Sequence, residues 1–188
     1  MSEAKAVSVL GICGSLRKGS YNRMALNAAA ELLPPDMTLE SCEIGTLPLY
    51  NDDVRLAGYP KPAEEFRAKV KAADALLFVT PEYNYSISGV LKNAIDWGSR
   101  PPDQPFDGKP VAIMGASPGQ SGTVRAQYHL RQTCVYLNMF PVNRPEVLIA
   151  GADRKFDAEG RLTDETTRKF LAQLLQALAD WTERLRAK

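Results

Sequence analysis

Short apolar runs alternate along the chain with amphipathic segments, and this alternation predicts five strands and five helices. The apolar runs cover residues 7–13, 38–44, 75–80, 111–116 and 147–149. Helical patterns cover about 24–33, 63–73, 90–99, 123–138 and a last helix that begins at Thr163. The run 75–80 is apolar up to its last residue, Thr80, which is typical of a central parallel strand covered on both faces. Strands that alternate with helices predict a doubly wound parallel sheet in three layers.

With five strands, the expected fold is an α/β, flavodoxin-like sandwich with the parallel strand order 2-1-3-4-5. The length of 188 residues predicts one domain over residues 1–188. Residues 45–62 carry three prolines and the run Asn51-Asp52-Asp53, so this segment is predicted to be irregular. The last helix is predicted to bury one face, formed by Phe170, Leu171, Leu174, Leu175, Leu178 and Trp181.

The loop between the first strand and the first helix carries the most distinctive chemistry. Its sequence is Gly14-Ser15-Leu16-Arg17-Lys18-Gly19-Ser20-Tyr21-Asn22. A helix N-terminus offers unpaired N–H groups and a positive dipole end, and both suit a phosphate. Ser15 and Ser20 can donate hydroxyl hydrogens, and Arg17 can make a forked contact with phosphate oxygens. The loop lacks the Walker A and dinucleotide glycine spacings. The alternative interpretation is a helix start that Ser20 or Asn22 merely caps.

Two further loops follow the third and fourth strands, so the topology brings all three loops to one edge of the sheet. The first, Pro81-Glu82-Tyr83-Asn84-Tyr85-Ser86, supplies ring faces and amide groups that suit a planar heterocycle. The second, Ser117-Pro118-Gly119-Gln120-Ser121-Gly122, consists mostly of small residues and leaves room for a large ring. A phosphate at one end of a crevice and a planar ring at the other describe a mononucleotide such as FMN.

These stretches resemble the NADPH-dependent FMN reductase family, especially its chromate and quinone reductase branch. The matching segments are residues 14–17 with Ser20 and Asn22, then 81–86 and 89–97. The resemblance implies a flavodoxin-like fold, FMN as cofactor and NAD(P)H as co-substrate. It further implies a ping-pong cycle that reduces quinones, chromate, free flavins or azo compounds. One departure is Ser88, where the family commonly has proline, and it predicts a looser loop that still binds the cofactor.

The resemblance also implies roles for individual residues. It places the FMN phosphate on Ser15, Arg17, Ser20 and Asn22, with Tyr21 among the cofactor contacts. It places the isoalloxazine ring along Pro81, Glu82, Tyr83, Asn84 and Tyr85, with Ser117 completing the pocket. No catalytic side chain is implied, and Glu82 is expected to hydrogen-bond nearby backbone. A homodimer or homotetramer is expected, with Tyr85, Arg125, Tyr128 and Glu146 at or near the subunit contact.

Composition and charge narrow the classes of function. The hydrophobic content of 45% argues against disorder, and a net charge of +1 gives no indication of a nucleic-acid or membrane partner. One histidine and three scattered cysteines, Cys13, Cys42 and Cys134, do not form a zinc site, so no metal is expected. The N-terminal residues lack an apolar leader and no transmembrane span is recognised, which predicts a cytoplasmic protein.

Three alternatives stand beside the reductase. Gly115-Ala116-Ser117-Pro118-Gly119 matches the nucleophile elbow of a hydrolase, with His129 as its only candidate base. Against this, His129 comes too early for the usual order of the triad, and Pro118 lacks the N–H that the oxyanion hole needs. An electron carrier of the flavodoxin type is normally strongly acidic, unlike this chain. A nucleotide-binding or regulatory module is the third alternative.

Overall fold

The computed structural model describes residues 6–187, in which a parallel sheet carries helices on both faces. The strands are β1 (Val7–Cys13), β2 (Met37–Cys42), β3 (Ala75–Val79), β4 (Pro110–Ser117), β5 (Phe140–Pro141) and β6 (Val147–Ala150). The helices are α1 (Tyr21–Glu31), α2 (Asp52–Ala57), α3 (Lys61–Ala72), α4 (Gly89–Gly98), α5 (Val124–Tyr136) and α6 (Glu165–Arg186), with a 3₁₀ turn at Ala152–Arg154. Among the described residues, no helix is both long and apolar enough to cross a membrane.

The strand order β2-β1-β3-β4-β5 confirms the predicted 2-1-3-4-5 arrangement, and every pairing is parallel. The fifth position is divided between two short strands. β5 pairs with the first residues of β4, Pro110 and Val111, whereas β6 pairs with its last four residues, from Met114 to Ser117. The predicted fifth strand therefore corresponds to β6. Together with β5, it occupies the outer strand position beside β4.

The sheet separates two hydrophobic cores, because successive strand residues point to opposite faces. All five residues of β3 are buried, as its apolar run predicts. Ala75, Leu77 and Val79 belong to the core that includes α1 and α6, whereas Leu76 and Phe78 belong to the core that includes α3, α4 and α5. This covering on both faces fixes the central strands. It therefore also fixes the positions at which the loops at their carboxyl ends begin.

Two predictions about elements are wrong. The segment 45–62 contains the short helix α2, which the side chain of Asn51 caps by accepting from the N–H of Asp53 at 2.9 Å. The polar residues that suggested a loop thus form a helix start. On α6, Leu171 and Leu174 are buried but Phe170 is 46% exposed, because Phe170 lies at the margin of the inner face.

The edge of the sheet opposite the three loops is held by Asp74. Its carboxylate accepts hydrogen bonds from the Ser8 N–H at 2.9 Å and the Ser8 hydroxyl at 2.6 Å, and it forms an ion pair with Arg186 at 2.8 Å. Burial by itself raises the pKa of Asp74, but these hydrogen bonds and the nearby guanidinium outweigh burial and lower the pKa to about 2.

The low pKa of Asp74 predicts a loss of stability in acid. Its folded pKa lies below the unfolded value of 3.8, so the carboxylate contributes about 2 kcal/mol above roughly pH 4. This contribution is lost as the pH falls from about 4 to about 2. Urea unfolding of the wild type and Asp74→Asn at several pH values tests the expectation. The difference in unfolding free energy should shrink below pH 4, and a difference that stays constant down to pH 2 would contradict it.

Candidate functional site

The loops after β1, β3 and β4 meet at the edge of the sheet that the carboxyl ends of the strands form. The N–H of Gly14, just after β1, donates to the Val79 carbonyl of β3 at 2.8 Å. The N–H of Thr80 donates to the Met114 carbonyl of β4 at 3.0 Å. These links hold the three loops side by side, at the position where ligands bind in open α/β sheets.

The first loop ends at the N-terminus of α1, where Ser20 is the N-cap and accepts from the N–H of Arg23 at 3.2 Å. The capping interpretation of Ser20 is therefore confirmed. The cap leaves the N–H groups of Tyr21 and Asn22, in the first turn, without an intrahelical acceptor. The exposed guanidinium of Arg17 lies 6.0 Å from the Tyr21 ring centroid and makes no ion pair with any described residue. These groups form a cationic, donor-rich corner.

Asn22 has a second role that its sequence position did not indicate. Its side-chain amide donates to the Ala116 carbonyl at 2.9 Å and accepts from the Ala116 N–H at 2.9 Å. Asn22 is only 4% exposed, so both bonds are buried. The side chain therefore fastens α1 to the end of β4, and the backbone N–H of Asn22 is the group that it offers to a ligand.

The loop after β3 contains a strained two-residue turn. Tyr83 and Ser86 exchange two backbone hydrogen bonds of 3.0 Å, and between them Asn84 (φ 51°) and Tyr85 (φ 67°) are left-handed. This is the geometry of a type I′ turn, in which asparagine is common and a bulky aromatic residue is rare. Both tyrosines are exposed, Tyr85 to 67%. Backbone strain of this kind is characteristic of ligand-binding sites, and here it presents two aromatic rings.

Helix α5 holds this turn through Glu82 and Arg125. The Glu82 carboxylate forms an ion pair with the Arg125 guanidinium and accepts from the N–H groups of Arg125 at 3.0 Å and Ala126 at 3.3 Å. The N-cap of α5, Thr123, makes no side-chain cap, so Glu82 caps the helix from another loop. Glu82 thus bonds backbone as expected, but the N–H groups belong to α5, 43 and 44 positions away, and not to the local backbone. The Arg125 guanidinium in turn lies 4.1 Å from the centroid of the Tyr85 ring.

The surroundings of Glu82 keep it ionised. Burial raises the pKa of this carboxyl, but the bonds from the Arg125 side chain and from the α5 N–H groups outweigh burial and lower the pKa below its usual value. A carboxylate fixed in this way holds two elements together and is unsuited to donating a proton near neutral pH.

The hydrolase alternative is not supported by the geometry. The hydroxyl of Ser117 accepts from the N–H of Gly119 at 3.1 Å, whereas His129 Nδ1 lies 3.0 Å from the hydroxyl of Ser86. His129 therefore gives α5 a second contact with the turn after β3, and it does not pair with Ser117. Packing explains the glycine at position 115 of the elbow motif, because a Cβ there would lie 2.0 Å from Thr123 Oγ1.

Ser88 links the first loop to the start of α4. Its hydroxyl donates to the Gly14 carbonyl at 2.6 Å and accepts from the N–H of Leu91 at 3.3 Å, so Ser88 also caps α4. The prediction that Ser88 loosens this loop stays a prediction, but the hydroxyl supplies a bond that a proline at this position cannot make. A serine directly before a helical pattern was the available signal for this cap.

The residues at this edge fit FMN. The α1 N-terminus and Arg17 supply donors and positive charge for a phosphate, whereas Tyr83 and Tyr85 supply ring faces for the isoalloxazine. Ser15 lies in the loop after β1, and Ser117 is the last residue of β4. A cavity of about 770 Å³ lies elsewhere, between β6 and α6, and none of the predicted cofactor-binding residues lines it.

Comparisons with known proteins find related reductases. The family model for NADPH-dependent FMN reductase matches residues 7–154. An NAD(P)H-dependent FMN reductase of Pseudomonas aeruginosa is 60% identical over 180 residues, which covers 96% of this chain and 97% of that protein. A quinone reductase of Pseudomonas putida is 45% identical over the full length of both chains, 188 residues. The solved structure of FerB, a flavoenzyme NAD(P)H:(acceptor) oxidoreductase from Paracoccus denitrificans, has a TM-score of 0.88 at 37% identity and covers 95% of this chain and 98% of that chain.

Proposed function

The chain belongs to the NADPH-dependent FMN reductase family, and on this premise we propose that it is an FMN-dependent enzyme that oxidises NAD(P)H and reduces quinones in a ping-pong cycle. The observation that carries the proposal is the meeting of the donor-rich α1 N-terminus and the two-tyrosine turn at one edge of the sheet. The quinone reductase relative supports quinones as acceptors. Chromate, free flavins and azo compounds are further acceptors within the proposal.

We assign the cofactor-binding residues by position. The phosphate is assigned to Ser15, Arg17, Ser20, Tyr21 and Asn22 around the first turn of α1. The ring is assigned to Pro81, Glu82, Tyr83, Asn84 and Tyr85, with Ser117 at the end of β4. When bound, FMN supplies the redox chemistry, because it can take up a hydride and release electrons to an acceptor. The protein binds, orients and shields, and we assign no side chain to proton transfer.

The spectrum of the purified protein under anaerobic conditions tests the proposal. The expected result is flavin absorption that bleaches with NADPH or NADH and returns when a quinone is added. Flavin bands that NAD(P)H does not bleach would favour the electron-carrier alternative. A protein that binds no flavin after FMN is added would favour the nucleotide-binding module. For the ping-pong cycle, double-reciprocal plots at several fixed quinone concentrations should be parallel, and intersecting lines would exclude it.

We also propose that the chain acts as one cytoplasmic domain and assembles as a homodimer or homotetramer. Exposed aromatic and aliphatic side chains on α5 support the assembly: Tyr128 is 53% exposed, Val135 80% and Tyr136 86%. Tyr85, Arg125 and Glu146 lie at the proposed contact. The buried free thiols of the three cysteines are consistent with a reducing compartment.

Sedimentation velocity tests the assembly. The wild type should sediment as a dimer or tetramer at micromolar concentration, and Val135→Asp should shift it toward monomer because a charge would be buried at the contact. The matched control is Ala30→Asp, at an exposed position on α1, which should leave the sedimentation unchanged. A wild type that remains monomeric at all accessible concentrations would contradict the proposal.

A further inference from the structure

We propose that Ser88 is a positioning residue for phosphate recognition: its hydroxyl sets the direction of the Ser15 N–H by holding the Gly14 carbonyl. This inference rests on the proposed binding of FMN and concerns how one residue of this chain, outside the assigned cofactor contacts, determines the affinity. Ser88 lies on the ring side of the site, at the start of α4, whereas its hydrogen-bond acceptor lies in the phosphate loop.

The single hydroxyl hydrogen of Ser88 is already engaged in a hydrogen bond. A serine hydroxyl has one hydrogen, and here that hydrogen goes to the Gly14 carbonyl at 2.6 Å while the oxygen accepts from Leu91 at 3.3 Å. Ser88 is 1% exposed, so water does not compete for either bond. Removing the hydroxyl would leave the Gly14 carbonyl buried without this donor. The peptide between Gly14 and Ser15 could then rotate toward another hydrogen-bond donor.

The Gly14 carbonyl matters because its peptide unit continues into the phosphate loop. The peptide between Gly14 and Ser15 is trans, since the cis bonds of the described chain lie at Pro101–Pro102 and Arg144–Pro145. In a trans peptide the carbonyl and the following N–H point in opposite directions. Fixing the Gly14 carbonyl on Ser88 therefore directs the Ser15 N–H away from α4. The N–H of Gly14 is also fixed, by the Val79 carbonyl at 2.8 Å.

Close packing leaves this peptide little freedom as long as Ser88 is present. A Cβ added to Gly14 would lie 3.1 Å from Ser88 Oγ, 3.2 Å from Leu91 Cβ and 3.2 Å from Pro81 Cδ. The first loop is thus pressed against the start of α4 and against the loop after β3. The hydroxyl of Ser88 is the polar contact in this packing. Its bond to the Gly14 carbonyl fixes the orientation of the peptide between Gly14 and Ser15.

Titration of the flavin-free protein with FMN and with riboflavin, followed by flavin fluorescence, tests the inference. Riboflavin lacks the phosphate, so the ratio of the two dissociation constants reports phosphate recognition alone. Ser88→Ala should weaken FMN binding by about fivefold to tenfold and change riboflavin binding less than twofold. Ser88→Thr, which keeps a hydroxyl, should preserve the wild-type ratio. Ser88→Pro should behave like Ser88→Ala, and its ring suits the φ of −65° at this position.

Asp164→Ala is the matched control, because it removes the N-cap of α6, where the Asp164 carboxylate accepts from the N–H of Thr167 at 2.9 Å. It should lower the thermal unfolding temperature and leave the FMN-to-riboflavin ratio unchanged. A wild-type ratio in both Ser88→Ala and Ser88→Pro would overturn the inference, as would equal weakening of FMN and riboflavin. Wild-type protein that binds neither flavin would instead overturn the proposed function, and the inference with it.

Discussion

Replacing Arg17 with alanine should weaken FMN binding by about tenfold to a hundredfold. The guanidinium is exposed beside the α1 N-terminus and makes no ion pair with any residue in the described part of the chain, so it is available to a phosphate. A charge-assisted hydrogen bond of this kind contributes about 1.5–3 kcal/mol, which corresponds to the stated change in affinity. Titration of the flavin-free protein with FMN measures the change directly.

The control for Arg17 is Arg184→Ala, which removes the same charge near the C-terminal end of α6, far from the three loops. It should bind FMN as tightly as the wild type. Riboflavin should bind Arg17→Ala and the wild type alike, because it carries no phosphate. If Arg17→Ala retained the wild-type affinity for FMN, the phosphate would have to lie elsewhere.

Asn22→Ala should lower the free energy of unfolding of the flavin-free protein by about 2–4 kcal/mol. The substitution removes two hydrogen bonds of 2.9 Å and leaves the N–H and the carbonyl of Ala116 without these partners in a buried strand. An unsatisfied buried group costs about 1–3 kcal/mol, and two such groups are affected. Urea unfolding followed by circular dichroism measures the loss without any contribution from a bound flavin.

Asn27→Ala provides the comparison, since Asn27 lies on the same helix but is exposed. It should change the free energy of unfolding by less than about 0.5 kcal/mol. Similar losses in the two variants would mean that the effect comes from the helix itself, and the proposed link between α1 and β4 would have to be abandoned.

The parts of the fold that the sequence predicts are those with a strong local signal. The run 75–80 could be assigned to a central strand because its first five residues are all apolar, and the alternation of strands and helices was sufficient for the sheet order. The two-residue strand β5 is too short to produce a periodic pattern. The helix α2 was missed because Pro48, Pro60 and Pro62 surround it and because its residues are polar.

The candidate site shows the same division. The α1 N-terminus and the loop after β3 were predictable, because their residues are contiguous and their types suit a phosphate and a ring. The contacts that hold these loops join residues far apart in sequence: Glu82 and Arg125 are separated by 43 positions, and Asn22 and Ala116 by 94. No local pattern encodes such pairs. For Ser88 the local sequence contains the signal of a helix cap, which sequence reasoning did not use, whereas its bond to Gly14, 74 positions away, required the tertiary structure.

The turn from Tyr83 to Ser86 determines how this protein can be diversified by directed evolution. At position 85 the backbone is left-handed, so β-branched residues are disfavoured and glycine relaxes the turn but discards the ring. Position 83 carries no such restriction, since its φ is not positive, and its side chain is exposed. Libraries that randomise both positions equally would contain many variants with poorly folded turns. Varying residue 83 while retaining Asn84 and Tyr85 would explore new acceptor contacts on an intact scaffold.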